Sequence, residues 1–486
     1  MPPRGPGLAA LPPLHDRVRS RLSTWRQIGA SSHVLSWIRE GVPVLFRGGR
    51  PPPPFRFRSR PLIGDAAKWW AEEEGRLRAT GALEPATCSD FVSRAFLVPK
   101  KSGGFRLVVD LRPVNKFCVR LRCRYESLRL LSRICPPGAH MIAFDLADAY
   151  HHLSIRPADR KFFTFELNGS LYQCAGLPFG WSNSPYYFTK FTRPLVSQLR
   201  SPFFRSLAGT SAVALSQRAR RVTPAAGLGI LPYLDDFLCV ASSQTDAELA
   251  VPFVQSTLQS LGLQAHPTKC CWSPTQRLEH LGFVVDTDRG VFAITPARFA
   301  QIRAMAKDLG CRAARGSRWV KLSQLKSFCG TAVSTLLAVP PARHYLRALY
   351  DCMSAASSWP GHARLSRQAL RDLHWWGALP SRWCNRPIRR SPVSHHLYTD
   401  ASGSVGWGAV LDAHRVARGS WRPQQQPLHI THKELLAVDE WIAARKLQIA
   451  MEKRTFDRKA VCEHYIYLCT HIVVHVTLGY SAGACG

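Results

Sequence analysis

Two adjacent carboxylates, Asp235 and Asp236, follow Tyr233 and Leu234 between the apolar runs 229–231 and 237–241. A pair of acids at the tip of an otherwise hydrophobic hairpin is costly unless a cation neutralises it. Hard carboxylate oxygens suit a divalent ion such as Mg²⁺. Taken alone, the tetrapeptide would also serve as an ordinary polar turn. It does not stand alone. Ninety residues upstream, the apolar stretch 141–144 ends in Asp145, and Tyr150 follows five residues later. Asp148 lies between them and reads as the cap of the helix that follows.

Other segments place these acids in a wider frame. Residues 94–115 read as a β-hairpin turning at Lys101-Ser102-Gly103-Gly104, where glycines permit positive φ. Leu177-Pro178-Phe179-Gly180 is a Gly/Pro-punctuated loop that opens into the segment 186–199. Residues 162–165 and 171–173 form a strand pair around Asn168-Gly169. Lys269 and then His280-Leu281-Gly282-Phe283 come downstream. Pro232 just before the YLDD cannot donate a ladder hydrogen bond, so it belongs at a sheet edge or turn.

In this order the blocks resemble the reverse transcriptases of retroelements: basic hairpin, first Asp, LPxG loop, YxDD, Lys, LGF. The resemblance runs from about residue 83 to residue 441. The wording LVPKKSGGFRLVVDLRPVN, GLPFG, HLGF and the later TDAS is similar to long-terminal-repeat elements of the gypsy type, and closest to the DIRS group of tyrosine-recombinase retrotransposons. The resemblance implies an α+β fold: a right-hand polymerase of fingers, palm and thumb, followed by an incomplete RNase H-like α/β unit. It implies an RNA-directed DNA polymerase working on an RNA template, a DNA primer and deoxynucleoside triphosphates.

The same resemblance assigns roles residue by residue. Asp145 and Asp235 are the ligands shared by two Mg²⁺ (or Mn²⁺) ions, with Asp236 supporting; such pairs sit about 3.5–4 Å apart and assist in-line phosphoryl transfer. Lys100 or Lys101, with Arg106 on the other arm of the hairpin, faces the triphosphate. Tyr150 matches the steric gate that excludes a ribose 2′-hydroxyl. Phe179 takes the nucleotide-facing loop position, and Gly180 lets backbone approach the nucleotide. Lys269 is the candidate general acid for the leaving pyrophosphate. Further on, Asp400 and Glu434 match the first two carboxylates of a retroelement RNase H. A third should follow the next strand; residues 472–476 have that character, but Thr477 follows them.

Composition agrees with a nucleic-acid partner. The 486 residues carry a formal net charge of +33 with 46% hydrophobic residues, an excess that calls for a polyanion. No basic amphipathic helix or long apolar span suggests a membrane. Fifteen cysteines, odd in number and without a C-x-x-C pair, imply reduced thiols and an intracellular, non-secreted protein in cytoplasm or nucleus; no signal peptide is visible. Cys462, His464, Cys469 and His471 have no common zinc spacing.

Residues 1–60, with eleven arginines against Asp16 and Glu40, read as a disordered basic leader or an upstream fragment of a polyprotein. Fingers and palm are expected over 61–290, with a helix at 65–85 and an insertion at 199–229. Thumb and connection helices are expected over 291–390, at 295–310, 322–337 and 341–353; Thr295 caps the first and Gly310 ends it. A partial RNase H-like domain spans 394–450 and an aberrant tail 451–486, consistent with truncation, frameshift or an unspliced intron. Two other readings compete. One is a dead or repurposed nucleic-acid-binding remnant, favoured by the insertion, Pro232 and the broken C-terminus. The other is a hepadnavirus-like polymerase, disfavoured by the YLDD wording and the TDAS block.

Overall fold

The computed structural model describes residues 12–100, 103–200, 228–315, 318–356, 361–389, 395–412, 415–452 and 472–476. The chain divides into two units, Met1–Ile388 and Arg389–Gly486.

The first unit opens with three short helices: α1 (Leu14–Arg19), α2 (Leu22–Gln27) and α3 (Ser32–Glu40). Ser31 caps α3 by accepting from the Val34 amide. The expectation of a disordered leader is corrected here for residues 12–60. Val18, Trp25, Val34 and Ile38 are buried in the unit's main core. The Trp25 ring stacks on Phe191 at 4.5 Å, and its Nε1 donates to the Leu261 carbonyl at 3.0 Å. The arginine excess hid this pattern: Arg21, Arg26 and Arg39 lie on solvent-exposed faces of helices whose other faces are apolar. Residues 1–11 lie outside the described residues.

Next come β1 (Phe55–Arg56), α4 (Gly64–Ala79), β2 (Leu83–Pro85), β3 (Phe91–Pro99), β4 (Phe105–Val109) and the short α5 (Arg112–Asn115) and α6 (Leu131–Ile134). The helix expected over 65–85 stops at Ala79. Gly81 at φ 73° turns the chain, and Leu83 enters β2. After β5 (His140–Asp145), β6 (Thr164–Leu167) and β7 (Ser170–Cys174) pair around Asn168-Gly169, both at positive φ, as a tight primed turn requires. These strands form a sheet in the order β1-β3-β6-β7-β2, with β4 on β3.

A second sheet carries the acidic hairpin. It contains β5, β8 (Gly229–Tyr233), β9 (Asp236–Ala241) and β10 (Cys271–Thr275), flanked by α7 (Ser184–Arg200) and α8 (Gln244–Ser260). The order is β10-β5-β9-β8. Both faces are buried. Ile142, Phe144, Phe237 and Cys239 face the main core; Met141, Leu238 and Val240 face a second core built with the following strands and helices. Most of the insertion expected at 199–229 lies outside the described residues.

The remaining part of the unit contains β11 (Arg277–His280), β12 (Phe283–Asp286), β13 (Val291–Ile294), α9 (Pro296–Arg315), β14 (Trp319–Lys321), α10 (Leu322–Val333), α11 (Arg347–Ser354), β15 (His362–Arg364), α12 (Arg367–Ala378) and β16 (Asn385–Pro387). Thr295 caps α9 through the Arg298 amide, as expected. Gly310 does not end that helix, which runs on to Arg315 because Ile302, Ala306, Leu309 and Ala313 continue its buried stripe. Packing of this stripe outweighs the propensity cost of one glycine.

The second unit holds β17 (His395–Ala401), β18 (Gly406–Leu411), β19 (Arg415–Ser420), α13 (Ile430–Glu452) and β20 (Ile472–Val476), in the sheet order β19-β18-β17-β20. Ala437, Val438 and Trp441 of α13 are buried, and Ala437 and Trp441 share a small core with Leu397, Trp407 and Trp421. Within the expected tail, β20 pairs antiparallel with β17; residues 453–471 and 477–486 lie outside the described residues. Among the described residues no helix is long and apolar enough to cross a membrane.

Candidate active site

The site is built on the register of two strands. In the β5–β9 pair Phe144 opposes Phe237 and Asp145 opposes Asp236. The two phenyl rings stack at 4.6 Å on the main-core face. Because side chains alternate along a strand, Asp145 and Asp236 share the other face. Asp235 occupies the two-residue turn of the β8–β9 hairpin, after Leu234 at φ 56°. A leucine at that position is strained by roughly 1–3 kcal/mol, and the flanking register enforces it. The two adjacent acids are thus separated in role: Asp236 faces Asp145 across the ladder, and Asp235 reaches the group from the turn. Pro232 is accommodated because β8 is the edge of this sheet.

The charges of Asp145 and Asp236 act on Asp235. Burial pushes the Asp235 carboxyl above the usual range, and the charges of Asp145 and Asp236 push it further. Lys269 Nζ lies 3.1 Å from Asp145 Oδ2, with its side chain 61% exposed. On the far side, His280 Nδ1 lies 3.3 Å from Asp236 Oδ1, with its side chain 1% exposed. Among the described residues no group of three or more His, Cys, Asp or Glu side chains is placed to hold a metal ion. The donor set is all-oxygen and anionic, and the raised Asp235 marks a charge excess that a cation relieves.

The residues expected around a nucleotide fall into two groups. Tyr150 is buried, yet its ring stacks on the exposed Phe179 at 4.8 Å, and burial, with Tyr125, Asp235 and Tyr233 nearby, pushes its hydroxyl pKa up. Gly180 adopts φ 101°, and a Cβ there would meet the Val109 carbonyl at 3.2 Å, so the position needs glycine twice over. On the β3–β4 hairpin Arg106 pairs with Val98, and both Arg106 and Lys100 are exposed. Lys101 lies outside the described residues.

Asp148 departs from its expected capping role. It adopts φ 44° and makes no side-chain cap; instead Arg76 of α4 reaches it at 2.6 Å. The guanidinium supplies two donors in a fork that a single turn amide cannot match. In the second unit Asp400 lies with Tyr398 on the exposed face of β17, opposite Leu397, which packs with α13. Glu434 lies in the first turns of α13.

Sequence reasoning assigned no role to Asn115 or His280. Asn115 Nδ2 donates to the Gly180 carbonyl at 2.8 Å, and its Oδ1 accepts from the Ser182 amide at 2.9 Å, tying the LPFG loop to α5. Both residues stand inside blocks that the sequence makes conspicuous. Only their partners, 65 and 44 positions away, reveal what they do.

Residues 98–285 match the family described as reverse transcriptase (RNA-dependent DNA polymerase). Over 212 residues the chain is 31% identical to the Gag-Pro-Pol polyprotein of squirrel monkey retrovirus, covering 42% of this chain and 10% of that protein. It is 29% identical over 273 residues to the Pol-related polyprotein of mouse intracisternal A-particle MIA14, covering 54% and 28% respectively. The chain therefore spans about a tenth to a quarter of these relatives. A foamy viral protease–reverse transcriptase, determined in complex with double-stranded DNA, superposes with a TM-score of 0.56 at 15% identity over 92% of this chain and 75% of that one. The chain has the fold of that polymerase, and residues 98–285 carry the reverse transcriptase domain found in retroviral and retroelement Pol polyproteins.

Proposed function

We propose that this chain is an RNA-directed DNA polymerase that adds deoxynucleotides to a DNA primer on an RNA template. The observation that carries the reading is the register that sets Asp145 opposite Asp236 at one end of a buried sheet, with Asp235 beside them. Asp145, Asp235 and Asp236 would hold the divalent ions, Mg²⁺ or Mn²⁺ and two in number. When bound, such ions would neutralise the triphosphate charge and lower the pKa of the attacking 3′-hydroxyl. The chain's own residues do the rest. Arg106, with Lys100 or Lys101, holds the triphosphate charge from the fingers hairpin. Tyr150, held against Phe179, closes the space where a 2′-hydroxyl would sit. Gly180, fixed through Asn115, brings backbone close to the incoming base. Lys269 is anchored on Asp145 and exposed, which suits a proton donor to departing pyrophosphate.

The motif wording supports a retroelement source of the gypsy type, closest to the DIRS group. In the second unit Asp400 and Glu434 support an RNase H ancestry; with no third carboxylate assigned, that unit is proposed to lack RNase H activity.

The test is primer extension by the purified chain on a primed RNA template with Mg²⁺ or Mn²⁺. Extension is expected, and Asp145→Asn and Asp235→Asn should each reduce it by about 10²–10³-fold, the scale of losing a central electrostatic group. Extension surviving both substitutions would overturn the metal assignment. An inactive wild-type chain that still binds template–primer would favour a repurposed remnant.

A further inference from the structure

Between Asp145 and Tyr150 the chain is bent by one residue in an uncommon conformation. Asp148 sits at φ 44° and ψ 42°, and the single helical turn Ala149–His152, which carries Tyr150, follows directly. Aspartate enters this left-handed region more readily than most residues, but still at a cost that the surroundings must offset. If Asp148 relaxed to an ordinary conformation, the chain would leave it in another direction and the Tyr150 ring would move with it.

Both flanks of the bend are tied to the chain after α8. The Ala147 amide donates to the Gln264 carbonyl at 2.9 Å, and the Gln264 amide donates to His152 Nε2 at 3.1 Å. Asp148 itself makes no side-chain cap. Its carboxylate goes to Arg76 of α4: Nη1 donates to Oδ2 at 2.6 Å and Nη2 to Oδ1 at 3.4 Å. Glu73, one turn earlier on α4, accepts from Nε and Nη2 of the same guanidinium at 2.9 and 2.8 Å. The planar fork is thereby aimed at Asp148. The helix that carries it is anchored in the main core by Trp70 and Leu77.

We infer that Arg76 is a positioning residue for sugar selection: it holds Asp148 in the left-handed conformation and so fixes Tyr150 where a ribose 2′-hydroxyl would enter. This rests on the polymerase reading above. In this role Arg76 touches neither substrate nor metal. An ion pair partly in solvent is weak, but the backbone strain it opposes is also small. The pair therefore has only to tip a balance between two nearby conformations. Tyr150 also packs against Phe179 at 4.8 Å and Phe188 at 5.3 Å. Those rings set the plane of the phenol; the bend at Asp148 sets where the backbone delivers it.

The experiment compares kcat/KM for a deoxynucleotide and the matching ribonucleotide in primer extension by the full chain. Arg76→Gln should lower the preference for the deoxynucleotide by about 5-fold, the upper end for a partly solvated ion pair, with KM for the deoxynucleotide rising more than kcat falls. Arg76→Lys, which restores the charge but not the fork, should recover part of the loss. Asp148→Asn, which tolerates the left-handed region but offers no charge, should resemble Arg76→Gln, and the double variant should be no worse than the worse single one. Equal slowing with both nucleotides at the wild-type ratio would mean that Arg76 serves stability alone and overturns the inference. Additive losses in the double variant overturn it as well. Tyr150→Val is the control. If it leaves the ratio unchanged, or if the wild-type chain extends no primer, the underlying reading falls and the inference with it. If Tyr150→Val lowers the ratio and Arg76→Gln does not, only the role of Arg76 falls. The Arg76 side chain is 44% exposed, so its truncation opens no buried void; should Arg76→Gln still fail to fold, Arg76→Lys and Asp148→Asn carry the same comparison.

Discussion

At Asp235, burial and two neighbouring carboxylates act in the same direction, and both favour the protonated form. An acid whose pKa is raised in the folded state contributes stability below its unfolded value, near 3.9, and loses that contribution as pH rises through the folded value. At neutral pH, without divalent ions, Asp235 is therefore a net cost to the fold. Asp235→Asn should raise the melting temperature by roughly 1–3 °C in EDTA, and added Mg²⁺ should stabilise wild type more than the variant. Thermal denaturation with and without the ion checks both statements; a variant less stable than wild type in EDTA contradicts them. Tyr150 makes a separate prediction. Replacing the ring with valine should lower discrimination against ribonucleotides by roughly 10–200-fold, the span of one lost pocket contact. Competitive incorporation of ribo- and deoxynucleotides measures it, and an unchanged ratio would assign the ring to packing alone.

The element with the largest unanticipated consequence is the N-terminal helical segment. Trp25 is fully buried, stacks on Phe191 of α7 and hydrogen-bonds the chain after α8. It is part of the first unit's main core and not a tether beside it. Trp25→Ala should destabilise the first unit by about 3–5 kcal/mol, read from chemical denaturation, and removal of residues 12–60 should abolish folding. A stable, active deletion would show that the core closes without these helices. The acidic hairpin shows the same dependence on context. Its strained Leu234 and its edge proline are unfavourable locally, and they persist because β9 is locked to β5 along six paired positions.

For the whole molecule the dominant quantity is charge. A net +33 favours any polyanion, so binding to template–primer should fall steeply with salt. Each neutralised phosphate contributes about 0.7–0.9 to the log–log slope. Fluorescence anisotropy across a salt series should give a slope of several, little changed between unrelated sequences; a slope near zero would mean that the charge serves another purpose. Much of the arginine on α1–α3 lies on exposed faces of folded helices, so its contribution to binding is set by the surface and not by a flexible arm.

What was legible in the sequence was whatever short-range chemistry encodes. The YLDD pair, the apolar strand leading to Asp145, the Asn168-Gly169 turn and the Thr295 cap each carry their signal within a few residues, because turn conformations, strand alternation and capping are local rules. The apolar periodicity of the N-terminal helices is equally local, but the arginine excess around it masks the signal. Pairings across distance were not legible. Which of Asp235 and Asp236 opposes Asp145 depends on strand register, and a shift of one residue would exchange them. That Lys269 reaches Asp145, that Arg76 takes Asp148 away from its cap, that Asn115 ties down Gly180, and that His280 comes within ion-pair distance of Asp236 all depend on how packed elements bring remote segments together. Residue types alone name the groups able to do the chemistry; burial of both faces of one sheet decides the register, and the register decides which carboxylates face one another.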